Sequence, residues 1–109
     1  MESRTKVVGQ PPPIVAWLVR VSGPDAGRDW RLATTNRVGR DTSENELVFA
    51  DETVSWKHAK IQREGDQYVL YDLGSLNGTF VNDRKVQKTV LYDGDRIRFG
   101  DVECVFKRT

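Results

Sequence analysis

The sequence predicts an all-β domain, and three observations carry that expectation. From Ile14 to Phe106 the apolar residues fall in short runs, and no stretch keeps a helical period long enough to form a helix. Near the end the chain alternates: Ile97 and Phe99, then Val102, Cys104 and Phe106, take every second place among Arg96, Arg98, Glu103 and Lys107. That is the pattern of strands with one face in a core and the other in water. Between the runs stand "SGPDAG", "EGDQ", "LNG" and "YDGD", which supply the glycine, asparagine and aspartate that turns with positive φ require. Many short strands with frequent turns make a sandwich or a barrel.

Taken in order, residues 1–13, "MESRTKVVGQPPP", mix charge with glycine and close on three prolines. Prolines favour an extended conformation and donate no backbone hydrogen bond, so this segment is read as a flexible tail, with the domain spanning 14–109. The first candidate strand is 14–21, "IVAWLVRV", which ends at the "SGPDAG" turn. Next come 28–33, 36–39 and 46–49, the second of these closing on Gly39. Strands 59–64 and 67–73 flank "EGDQ" as a hairpin, and short pieces follow near 79–81, 84–87 and 89–91, ahead of the alternating strands at the end.

The totals narrow the function classes. A chain of 109 residues has room for one modest core. Seventeen Lys and Arg against sixteen Asp and Glu leave a net charge of +1, so there is no broad field to attract nucleic acid or an anionic membrane. An anion site here has to be local. The only cysteine, Cys104, has no partner for an internal disulfide, and no apolar run has the length of a signal peptide or a membrane span, which points to the cytoplasm. One histidine and one cysteine are too few for a zinc site, and the sequence calls for no cofactor.

Three stretches hold the chemistry. In "RVGRDTSENELVF", residues 37–49, Gly39 lets the backbone bend where the strand ends and Arg40 emerges at the loop; taken alone, Arg40 reads as a surface charge. In "DETVSWKHAKI", residues 51–61, Ser55 and His58 are three apart ahead of a strand. The hydroxyl is either a phosphate ligand or a turn serine bonded to backbone. The imidazole reads as a brace with one nitrogen on a backbone carbonyl, in preference to a proton carrier. In "DLGSLNGTFVN", residues 72–82, Asn77-Gly78 is a strong turn signal, and the Asn77 amide offers both a donor and an acceptor with which to hold an extended peptide by its main chain.

Together these stretches resemble the forkhead-associated (FHA) domain family, phosphothreonine-peptide binding modules, over about residues 14–107. The motifs stand in family order: Gly39-Arg40, "SWKH" at 55–58, "LGSLNGTFVN" at 73–82 and "GDRIRFG" at 94–100. The resemblance implies a sandwich of two twisted antiparallel sheets with the ligand held by loops at one end. It implies that Arg40 grips the phosphate, that Ser55 donates its hydroxyl to a phosphate oxygen, and that Asn77 bonds the peptide backbone. Gly39, His58 and Gly78 match positions that shape the loops, and Asn82 one that supports the binding edge. Lys57 is the neighbouring cation expected to add to phosphate attraction, and Thr53, Trp56, Leu76 and Asn82 are further candidate peptide contacts. Leu76 stands where many members have threonine and Trp56 where small, polar or basic residues are frequent, so both differences bear on peptide preference. The implied partners are a phosphothreonine-bearing protein and the Ser/Thr kinase that modifies it, with the domain itself a monomer.

Two other classes compete. An enzyme would pair Ser55 with His58 as nucleophile and base, with Asp51 or Asp72 as orienter, but G-x-S-x-G is absent because Gly74 directly precedes Ser75, and no second histidine exists. A phosphate-independent interaction module would use the sheet faces or Trp56 and has no need of Arg40, Ser55 and Asn77 together. Thr5, if phosphorylated, sits on a tail able to extend on the order of 25–30 Å, which would let it reach the site in cis.

Overall fold

The computed structural model describes residues 13–109. The tail read at 1–13, with Thr5 in it, lies outside the described residues apart from Pro13. Among the described residues there is no helix. The strands are β1 (Ala16–Arg20), β2 (Asp29–Arg31), β3 (Thr35–Gly39), β4 (Leu47–Val48), β5 (Ala59–Glu64), β6 (Gln67–Asp72), β7 (Thr79–Val81), β8 (Arg84–Lys85), β9 (Lys88–Leu91), β10 (Arg96–Phe99) and β11 (Val102–Arg108). They form a six-stranded sheet in the order β2-β1-β11-β10-β7-β8 and a five-stranded sheet in the order β4-β3-β5-β6-β9. The two sheets make the sandwich that the sequence predicts. Several strands are shorter than their apolar runs: β1 stops at Arg20, and β8 at Lys85.

Alternation places the core. Val102, Cys104 and Phe106 are buried while Glu103 and Lys107 are exposed, and Ile97 and Phe99 are buried in alternation with Arg96 and Arg98. Leu18 of β1, Val38 of β3, Ile61 of β5, Leu70 of β6 and Leu91 of β9 complete the layer between the sheets. At one end it becomes aromatic: Phe49 meets Trp30 edge-on at 5.2 Å and stacks on Phe99 at 5.8 Å, and Phe99 meets the ring of His58 at 5.8 Å. Edge-on and offset ring pairs contribute beyond the area they bury.

Register explains why the three stretches end up together. Val38 pairs with Ala59, Ala59 with Asp72, and Phe99 with Thr79. The C-terminal ends of β3, β6 and β10 and the N-terminal ends of β5, β7 and β11 therefore share one end of the sandwich. The pairings are antiparallel except for one: β4 runs parallel to β3, with Val38 opposite Leu47 and Gly39 opposite Val48. One parallel pair thus stands within the antiparallel sandwich expected, and it has a consequence. By returning the chain along β3 in the same direction, β4 sends residues 49–58 out at the same end as Arg40.

Phe49 is fully buried and joins the aromatic layer to the loops above it. Phe49→Ala is expected to cost about 3–5 kcal/mol, measured as a fall in the urea midpoint with an unchanged slope.

Candidate functional site

The converging loops surround an open depression of about 210 Å³ lined by Arg40, Thr53, Ser55, Trp56, Leu76 and Asn77, with Glu52 the carboxylate on its rim. Arg40 leaves β3 directly after Gly39, and its backbone N–H donates to the Ser55 carbonyl at 3.0 Å. Its guanidinium lies 4.8 Å from the centroid of the Trp56 ring, a cation–π contact that holds the charge without neutralising it. The Arg40 Nε is buried and has no hydrogen-bond partner, and the side chain makes no ion pair among the described residues. A buried donor without an acceptor costs free energy, so this nitrogen is an exception to the satisfied polar groups around it.

Ser55 and Asn77 each use part of their hydrogen-bonding capacity on a neighbouring loop. Ser55 Oγ accepts from the Leu76 N–H at 3.1 Å, which leaves the hydroxyl proton available. Asn77 Nδ2 donates to the Thr53 carbonyl at 2.9 Å, which leaves Oδ1 and a second N–H available. The Thr53 hydroxyl has no proton left to donate: it gives it to Asp51 Oδ1 at 2.6 Å, and it accepts from the Asp101 N–H at 2.8 Å. Its place is as a link between loops. The two bonds from Thr53 lead the effects that hold the Asp51 carboxyl below its ordinary range, with smaller help from Arg20 and Arg40.

His58 has no exposed surface. Its Nδ1 accepts from the Ser55 N–H at 3.1 Å, so the ring proton is on Nε2, which donates to the Gly78 carbonyl at 2.9 Å. The brace expected from the sequence is there, with a second bond the sequence did not reveal. Burial pushes the imidazole pKa down, partly opposed by the Gly78 bond and by Asp72. The pairing expected of an enzyme is absent from this geometry: the imidazole meets the Ser55 backbone and not its hydroxyl.

Gly39 is required by space. A Cβ there would lie 2.1 Å from the Trp56 carbonyl oxygen and 2.7 Å from Asn45 Nδ2. The bend expected at Gly39 is not the reason for glycine, since Gly39 is not among the residues with positive φ. Gly78 does need its positive φ of 89°.

Two expected residues are not gathered here. Lys57 pairs with Glu44 at 3.3 Å and lines a separate hollow with Arg37 and Leu73, because the backbone that turns Trp56 toward Arg40 turns its neighbour away. Asn82 sits at the other end of β7, about 10 Å along the strand at the usual rise per residue. With Asp83 it forms a tight hairpin turn, φ 49° and 68°, and its amide bonds Asp95 Oδ1 and the Arg96 N–H. It lines a larger depression, about 460 Å³, with Arg84 and Tyr92.

Asp72 plays a part the sequence reading gave it only as an orienter in the enzyme alternative. Its carboxylate accepts from Ser75 Oγ at 2.5 Å, Thr79 Oγ1 at 2.6 Å and the N–H groups of Gly74 and Ser75, while Ser75 Oγ accepts from the Gly78 N–H. Burial alone would raise its pKa, but these bonds outweigh it and hold the carboxyl below its usual range. The signal was an aspartate followed three residues later by serine, the mark of a side chain that organises its own turn.

The His58 geometry makes a prediction about stability. An Nδ1 that accepts a hydrogen bond cannot also carry a proton, so the unfolded chain binds the proton more readily than the folded one. Stability to urea is expected to decline as pH falls below about 6.5, the ordinary histidine value, until the lowered folded pKa is passed. In His58→Ala that component of the pH dependence disappears and the domain is less stable at neutral pH by about 2 kcal/mol or more, because the Ser55 N–H and Gly78 carbonyl lose their partner.

Comparison with known proteins places this arrangement. The pattern of the FHA domain family matches residues 36–100. The chain is 40% identical over 91 residues to the oxoglutarate dehydrogenase inhibitor of Corynebacterium jeikeium, covering 84% of this chain and 63% of that protein. It is 39% identical over 92 residues to the glycogen accumulation regulator GarA of Mycolicibacterium smegmatis, covering 84% of this chain and 58% of that one. The chain thus spans about three fifths of the length of these relatives. A solved FHA domain studied for phosphothreonine-dependent interactions superimposes with a TM-score of 0.79 at 35% identity, over 85% of this chain and 95% of that one. With its two-sheet sandwich, its convergent loops and this match over most of its length, the chain belongs to the FHA domain family.

Proposed function

We propose that this domain binds a phosphothreonine-containing segment of a partner protein and so makes that interaction depend on a Ser/Thr kinase. The observation that carries the reading is the Arg40 guanidinium, with a buried Nε that has no partner, beside a Ser55 hydroxyl proton and an Asn77 amide that are both available. In this reading Arg40 and Ser55 hold the phosphate and Asn77 holds the peptide main chain. Trp56 and Leu76, 61% and 88% exposed, give the peptide apolar surface on either side. Lys57, occupied by Glu44, has no direct part in it.

A phosphothreonine near neutral pH carries almost two negative charges and three acceptor oxygens, and a guanidinium meets two of them with parallel hydrogen bonds. Each charge-assisted bond contributes roughly 1.5–3 kcal/mol. Two of them separate a phosphorylated from an unmodified peptide by a hundredfold or more, with no covalent step. The domain works in this reading as a binding module in the cytoplasm, and no helix among the described residues is long and apolar enough to cross a membrane.

Arg40→Ala is expected to abolish phosphopeptide binding in calorimetry and Arg40→Lys to restore part of it, because an ammonium supplies charge without the planar fork. Near-wild-type affinity in Arg40→Ala would refute the assignment. Binding is also expected to weaken as pH falls below about 6, where the phosphate dianion takes up a proton. An affinity that stays level from neutral to acidic pH while the fold remains intact would mean that the dianion is not the species bound.

A further inference from the structure

Beyond Asn77, the edge of the proposed site becomes cationic. Gly78 has no side chain, and the space a Cβ would take is closed by Phe80 Cε1 at 3.1 Å and Lys85 Cε at 3.2 Å. The end of the Lys85 side chain therefore lies against the backbone of the residue that follows Asn77. Lys85 is the cross-strand partner of Phe80 on one side and Arg98 its partner on the other. The Arg98 guanidinium stands 4.0 Å from the Phe80 ring centroid. Lys85, Phe80 and Arg98 thus form a row across β8, β7 and β10, beginning at the loop that carries Asn77.

Part of the surrounding positive charge is already paired. Arg96 has Asp83 at 3.4 Å, Lys107 has Asp93 at 3.6 Å and Lys57 has Glu44 at 3.3 Å. Among the described residues Lys85 and Arg98 have no such carboxylate; Glu103 stands opposite Arg98 across β10 and β11 without pairing with it. Arg98 is half-buried and anchored by one N–H to the Gly100 carbonyl at 2.9 Å, one of the five its guanidinium carries. Gly100 in turn donates to the Gly78 carbonyl at 3.1 Å. The row is therefore fixed to the same loop that positions Asn77.

We infer that this row selects an acidic side chain on the arm of the bound peptide that passes Gly78. The inference rests on the phosphothreonine reading above and adds a ligand class to it: phosphothreonine segments with aspartate or glutamate on one flank. Beside Arg40 the exposed indole of Trp56 offers apolar contact instead, so the two arms of the peptide meet different chemistry and its direction is set.

The test uses a phosphothreonine peptide with uncharged flanks, in which one glutamate, or one glutamine as control, is moved through successive positions. At one or two neighbouring positions on a single arm, glutamate is expected to bind about two- to fivefold tighter than glutamine, the range of one exposed ion pair. The preference should shrink at about 0.5 M salt, disappear in Lys85→Gln and return in Lys85→Arg. Lys85 is exposed, so the glutamine variant keeps its fold, which its melting temperature checks. Equal binding of glutamate and glutamine at every position, or a full preference persisting in Lys85→Gln, overturns the inference while leaving phosphothreonine binding in place. Failure of the uncharged-flank phosphopeptide to bind at all overturns both.

Discussion

The imidazole of His58 is the contact on which the rest of this end of the molecule depends. It is buried against Phe99 and ties two loops together: within its own segment before β5 it accepts from the Ser55 N–H, and it donates to the loop before β7 through the Gly78 carbonyl. A polar ring in an apolar layer is tolerated only where both nitrogens are satisfied, and here each has one partner of the right kind. That requirement fixes the tautomer, and the tautomer fixes which loop accepts and which donates. The aromatic layer of Trp30, Phe49 and Phe99 holds the ring from below, so that core packing sets the loop positions directly.

Above that ring, the loops are joined mostly by single bonds that leave something over. Ser55 accepts from Leu76 and keeps its proton, while Asn77 donates to Thr53 and keeps its oxygen. Groups already oriented by one bond have less rotational freedom to lose when a second forms, which favours binding. Arg40 is oriented differently, by the Trp56 ring and by its own backbone bond to Ser55, so its direction is set while no carboxylate among the described residues pairs with it. The exposed indole that departs from the usual residue at that place thereby has a role in orienting the guanidinium.

Much of this was legible in the sequence, and the rest was hidden for physical reasons. Alternation gave the buried faces of β10 and β11, because a period of two is a property of the strand itself. The brace at His58 was legible from its place three residues after Ser55 and just ahead of the strand of Ala59 and Ile61, where a turn folds the imidazole back. The fate of Lys57 was not, since it turns on Glu44, thirteen positions earlier and brought close only by the path of the loop. Asn82 was misplaced for a related reason: "LGSLNGTFVN" reads as one motif, yet β7 passes through it and leaves its two asparagines at opposite ends of a strand. The parallel β4 and the close approach of Trp56 to Gly39 are matters of register between distant segments, which no local pattern records. Arg20 shows the same limit. It is buried inside β1, its Nε on the Ser22 carbonyl and its guanidinium 5.5 Å from the Phe49 ring, where alternation alone would place an apolar residue.

The charge balance fixes how such a site has to discriminate. With a net charge of +1 there is no long-range attraction to draw in a phosphorylated chain, so steering contributes little and the difference between modified and unmodified peptide arises at contact. At contact, the carboxylates of Asp51 and Asp72 accept from N–H and hydroxyl groups of their own loops. These donors compensate the two negative charges, which would otherwise oppose an incoming phosphate at close range. Glu52 is then the one carboxylate lining the depression, against an arginine with no ion-pair partner among the described residues. A phosphate dianion supplies the charge and the acceptors that Arg40 lacks, whereas an unmodified threonine offers one neutral hydroxyl and leaves the guanidinium uncompensated. In the proposed function, selectivity would thus come from having so little else nearby for Arg40 to bind.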